Sequence, residues 1–99
     1  MRQEVDVLAV FDVGSRAPKP LRFKVRELGI KKTIPVTNIN NIDWVRANGT
    51  TRVVYSCDTI NAGQRISYNL HYYYDESRWE VESHIITKLT KSSLVEYMY

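Results

Sequence analysis

Gln64-Arg65-Ile66-Ser67-Tyr68-Asn69-Leu70-His71-Tyr72-Tyr73-Tyr74-Asp75-Glu76-Ser77-Arg78-Trp79-Glu80-Val81 reads as a single β-hairpin. Ile66, Tyr68, Leu70, Tyr72 and Tyr74 alternate with Ser67, Asn69, His71 and Tyr73, the pattern of a strand buried on one face. A four-residue loop, Asp75 to Arg78, pairs Tyr74 with Trp79, Tyr72 with Val81 and Tyr68 with Ile85 on the apolar face. On the other face the same register sets Tyr73 against Glu80 and His71 against Glu82.

The chain on the N-terminal side extends this pattern. A turn centred on Ala62-Gly63 pairs Cys57 with Tyr68, Tyr55 with Leu70 and Val53 with Tyr72. Asn48-Gly49 suits the positive φ angles of a type I′ turn and pairs Trp44 with Val53 and Ile42 with Tyr55. Three successive hairpins thus share one apolar face, and a one-residue slip at any turn would expose it. Tyr55, Tyr68, Tyr72, Tyr74, Trp44 and Trp79 are all expected in the core.

The N-terminal third supplies further strands. Val5, Val7, Ala9, Phe11 and Val13 alternate with Asp6, Leu8, Val10 and Asp12, and the apolar Leu8 and Val10 suggest cover on both faces. Gly14 to Pro20 forms a turn. Leu21, Phe23 and Val25 then alternate with Arg22, Lys24 and Arg26. A short strand from Thr33 to Ile39 contains Pro35, which suits an edge or a bulge. Asn38, Asn40 and Asn41 favour a bend before Ile42. The expectation is an all-β domain over residues 1–86, an antiparallel meander closed by the N-terminal strands into a small barrel or two-layer roll. In residues 87–99, Leu94, Val95 and Met98 share helical spacing, so that segment is read as a short C-terminal helix or a tail.

With 99 residues, 43% apolar and 25% charged, the chain has the make-up of one ordinary globular domain. Cys57 alone excludes an internal disulfide and a multi-cysteine metal site, and fits a reducing, cytoplasmic setting. Acids at Glu4 and Asp6 argue against a signal peptide, and no apolar run approaches the roughly 18 residues of a membrane span. The net charge is +3, but residues 16–32 hold seven cations against Glu27 alone.

Val7 to Phe11, Pro20-Leu21-Arg22-Phe23, Tyr55-Ser56-Cys57, Tyr73-Tyr74-Asp75 and Trp79-Glu80-Val81 together resemble small uncharacterised all-β bacterial proteins of clostridia and actinobacteria. The resemblance runs from about residue 5 to 82. It implies the same β fold and carries over no catalytic residue.

Two groups of residues are candidate sites. Arg22, Lys24 and Arg26 project from one face about 7 Å apart, near the phosphate spacing of a single nucleic-acid strand, and Lys19, Lys31 and Lys32 extend them. With Tyr73 as an outward aromatic, this is a candidate surface for single-stranded nucleic acid or another polyanion. A solvated face, or a charged edge that resists aggregation, accounts for the same residues. His71, Glu82 and His84 form the second group, suited in type to a divalent metal and hydrolysis, or to an ordinary cross-strand contact. Cys57, between apolar neighbours, reads as a small hydrophobe. No Gly-rich phosphate loop or nucleophile–base arrangement is present, so no catalysis and no cofactor is expected. The favoured expectation is a binding module whose partner is another protein or itself, through a sheet edge or the C-terminal segment.

Overall fold

The computed structural model describes residues 2–27 and 29–82. Among these residues seven strands form one antiparallel sheet: β1 (Arg2–Val10), β2 (Lys19–Glu27), β3 (Ile30–Pro35), β4 (Asn38–Ala47), β5 (Thr50–Asn61), β6 (Gln64–Tyr73) and β7 (Arg78–Glu82). Their order is β3-β2-β1-β7-β6-β5-β4. The sheet curls into a half-barrel, consistent with the barrel-like meander expected. The readings of residues 83–99, including His84, the Tyr68–Ile85 pair and the C-terminal helix, lie outside the described residues.

Two meanders are joined side by side through β1. Arg2 to Val5 pair with β7, from Arg2 opposite Glu82 to Val5 opposite Trp79. Asp6 to Val10 pair instead with β2. The concave face then folds on itself and buries Phe23, Val25, Ile34, Val53, Tyr55, Leu70 and Val81. Each such side chain contributes about 1.5–3 kcal/mol of transfer free energy.

Polar ties close one end of the curl. Thr59 donates its hydroxyl proton to the Pro35 carbonyl at 2.7 Å, so the 2.7 Å contact with Tyr68 is donated by the phenol. The Thr37 amide reaches the Asp58 carbonyl, and the Ile60 amide reaches the Thr37 hydroxyl. Further along, the Tyr55 hydroxyl donates to the Pro18 carbonyl. The opposite end, near Trp44, Tyr74 and Phe11, stays open.

The turns and registers of the β4–β5 and β5–β6 hairpins are those read from the sequence. Asn48 and Gly49 have φ of 53° and 75°, and Ala62 and Gly63 have 50° and 79°. The last hairpin differs. Its loop is Tyr74 to Ser77, so Tyr72 faces Trp79, Leu70 faces Val81 and His71 faces Glu80. The Tyr74 amide still bonds the Thr51 carbonyl, and Ser77 takes the left-handed conformation that ends the turn. Each residue slides by two positions relative to the expected partner, which preserves the faces.

Four further expectations need correction. Leu8 and Val10 are exposed, so β1 is covered on one face only. Leu21 is the extra residue of a bulge between the Leu8–Arg22 and Ala9–Pro20 pairs, so Pro20 points inward in its place. β3 begins at Ile30 and ends at Pro35, with Asn40 making a bulge in β4 rather than a break between strands. Trp44, Ile42 and Tyr74 are exposed and not core, since β4 is the last described strand of the sheet and Tyr74 lies in the turn after β6.

Candidate functional site

The basic strand and the exposed aromatics lie on opposite faces of the sheet. Phe23 and Val25 point into the core, so Arg22, Lys24 and Arg26 point outward from the convex side. Lys31 faces Arg26 across β2–β3, and Lys19 faces Val10, on that same side. Lys32 pairs with Val25 and belongs to the concave face. Acids from β1 temper the patch, since Asp6 sits directly opposite Lys24. Where β1 leaves β2 for β7, a groove of about 340 Å³ is lined by Gln3, Glu4, Asp6, Lys24, Arg26 and Lys31. Its walls mix both signs of charge. A polyanion would meet carboxylates as well as cations there.

Tyr73 does point outward, but it is occupied. Its hydroxyl accepts from Arg2 Nη1 at 2.8 Å and donates to Glu80 Oε1 at 2.8 Å, and the Arg78 guanidinium lies 3.9 Å above its ring. Arg78 also bonds Glu80 at 2.6 Å and Glu76 at 3.1 Å. Burial works to raise the Glu80 carboxyl, yet the hydrogen bonds from Tyr73 and Arg78 outweigh it and hold it below the usual range. The ring is part of a polar network, with Arg78 stacked over it and its hydroxyl held by Arg2 and Glu80.

His71 sits beside this network on the convex face, only 4% exposed. Among the described residues neither ring nitrogen has a hydrogen-bond partner, and Nε2 is 4.0 Å from Glu82 Oε1, which accepts from Asn69 at 3.0 Å. Burial, with Arg2 and Arg52 nearby, pushes the imidazole down to about 4 against the opposing pull of Glu82 and Glu80. It is therefore neutral near pH 7. Among the described residues, no three His, Cys, Asp or Glu side chains are grouped to hold a metal. Cys57 is buried, and burial together with Asp58 pushes its thiol up to about 12, the state of an inert packing residue.

The concave mouth is different in character. Phe11 is 68% exposed, Tyr74 48% and Trp44 41%, with Ile42 and Val13 also open to solvent. Their rings form a connected row, Trp44 to Tyr74 at 5.8 Å, Tyr74 to Tyr72 at 6.1 Å and Tyr72 to Phe11 at 6.3 Å. Arg16, from the loop between β1 and β2, lies 5.0 Å over the Trp44 ring. Phe11 also lines a groove of about 410 Å³ where β1 has parted from β7, with walls of mixed character: Val5, Val7, Tyr72 and Trp79, but also Glu4, Asp6, Ser77 and Arg78. Exposed apolar residues gathered in one place mark an interaction surface more often than a bare monomer face.

Two strands end the sheet. β3 is short, carries Lys31 and Lys32 and stops at Pro35, all features that deter pairing. β4 has ten residues, no proline and no lysine, and no described strand lies on its outer side. Its protective devices are the charged Asp43 and Arg46 and the Asn40 bulge, where Asn40 Nδ2 donates to Asp58 at 3.0 Å. Asp58 also accepts from Ser67 and lies 3.5 Å from Arg65, a cluster the sequence pattern did not suggest because a bulge sets it. Those hydrogen bonds, Asn40's first, hold the Asp58 carboxyl low.

Among the described residues, no helix is long and apolar enough to cross a membrane. No protein-family model, curated protein or solved structure matches the chain.

Proposed function

We propose that the chain is a non-catalytic interaction module, working in a reducing compartment such as the cytoplasm, that binds protein through its open mouth and the adjoining β4 edge. The observation that carries this reading is the gathering of Phe11, Ile42, Trp44 and Tyr74, all exposed, beside the longer and less protected sheet edge. An extended segment of a partner would add main-chain bonds to β4 and seat its side chains among the aromatic rings. Selection of displayed peptides against the full chain tests this. Peptides are expected to lose about tenfold or more in affinity for Trp44→Ala, about 1.4 kcal/mol. Peptides that bind Trp44→Ala and Phe11→Ser as well as the parent would overturn the reading.

A polyanion reading has its own support in the exposed Lys19, Arg26 and Lys31. It predicts oligonucleotide binding that falls steeply with salt and disappears when Arg22, Lys24 and Arg26 become Glu. Absence of binding at low salt would remove it. The separation of these cations from the exposed aromatics makes it the weaker of the two.

A further inference from the structure

We propose that the β4 edge pairs with β4 of a second copy in an antiparallel, twofold arrangement with Val45 on the axis. This rests on the interaction reading above and names its partner.

The backbone fixes which residues can take part. In a two-residue hairpin the flanking residues form a hydrogen-bonded pair, here Ala47 and Thr50. Alternation then turns the amides and carbonyls of Ala47, Val45 and Asp43 toward β5. Those of Arg46, Trp44 and Ile42 turn outward, away from every described strand. The side chains of these outward residues lie on the concave face, where Ile42 and Trp44 are already open to solvent.

Side-chain chemistry then selects the register. A continuous sheet requires concave-face residues to meet concave-face residues across the axis. Placing Asp43 on the axis sets it against Asp43 of the second copy, and centring on Arg46 sets two guanidiniums together; both are unfavourable. Centring on Trp44 leaves Arg46 opposite the aliphatic Ile42. With Val45 on the axis, Trp44 meets Arg46 of the second copy, and Arg46 meets its Trp44. A cation faces an indole twice, on a ring that already attracts Arg16 within its own chain. Both members of each pair also have outward backbone groups, so they exchange main-chain hydrogen bonds. Val45 meets Val45 in the close, non-hydrogen-bonded position.

Sedimentation equilibrium and a cysteine scan on the full chain test this. The chain is expected to dimerise with rising concentration, and Val45→Lys to weaken the dimer about tenfold or more while keeping a parent-like melting temperature at dilutions where both proteins are monomeric. Val45→Cys is expected to form an intermolecular disulfide under mild oxidation, because the paired positions fall within disulfide reach. Asp43→Cys, which would face Ala47, is expected not to. Native Cys57 is buried and does not compete. A chain that stays monomeric at the highest soluble concentration overturns the pairing, as does a dimer indifferent to Val45→Lys or cross-linked equally well through residue 43. If such a chain still binds selected peptides in a Trp44-dependent way, only the self-pairing fails. If it binds neither, both proposals fall.

Discussion

Leu70 and His71 are neighbours on β6, both buried, on opposite faces of one sheet. Leu70 enters the concave core among apolar residues, where burial of its side chain is favourable without further condition. His71 is enclosed on the convex face among Arg2, Arg52, Glu80 and Glu82, with no hydrogen-bond partner for either nitrogen among the described residues. Equal burial thus has opposite consequences. The concave face derives its stability from area removed from water, whereas the convex face depends on how completely its polar groups are matched. The first is insensitive to pH and the second is not.

The strongest way to break the concave side is Trp79→Ala. Its ring packs 4.6 Å from that of Tyr72 and 5.4 Å from that of Tyr55, so removal leaves a cavity at the junction of β7 and β5. The expected loss is about 3–5 kcal/mol, against a total of roughly 5–15 for a domain of this size. Urea denaturation measures it, and a loss below about 1 kcal/mol would contradict the packing.

The convex side breaks through protons. The folded imidazole of His71 lies at about 4, below its ordinary value of 6.5, so the unfolded chain binds the proton more tightly. This contribution is fully present above the ordinary value and is lost as pH falls toward 4, with a limit on the order of 3 kcal/mol. His71→Phe is expected to flatten the stability profile across that window. Parallel profiles for the two proteins would show that His71 does not titrate as its surroundings imply.

The same contrast explains what could be read from the sequence. Both faces of β5 and β6, and the positive-φ turns at Asn48-Gly49 and Ala62-Gly63, follow from local alternation and turn chemistry. The pairing of β1 with β7 does not, because nothing near Val5 in the chain signals Trp79 as its neighbour. Trp44 and Tyr74 share the parity of the core, but parity gives the face and not the cover. Whether a face is covered depends on which strand is last in the sheet, and that is a property of the whole topology. The parity of Tyr73 points it outward, yet its capture by Arg2, Glu80 and Arg78 depends on three strands being positioned first.

Glu80→Gln probes the polar network with less force. It removes the charge that Arg78 contacts at 2.6 Å while preserving size and one acceptor for Tyr73. A loss of about 1 kcal/mol is expected, smaller at high salt, since Arg78 is partly solvated. Equal loss at low and high salt would mean that packing, not charge, holds the network.

The smallest effect is expected where the concave face reaches water. Phe11 touches Tyr72 edge-on, but two-thirds of it is solvated, so Phe11→Ser has little area to lose and should change stability by no more than about 0.5 kcal/mol. The same substitution removes a large part of the apolar surface offered to a partner. Stability and binding should therefore separate at this residue, whereas at Trp79 they would fall together. A Phe11→Ser protein that melts several degrees lower would place Phe11 in the core after all, and the mouth would then be a lid over Tyr72 instead of a surface for binding.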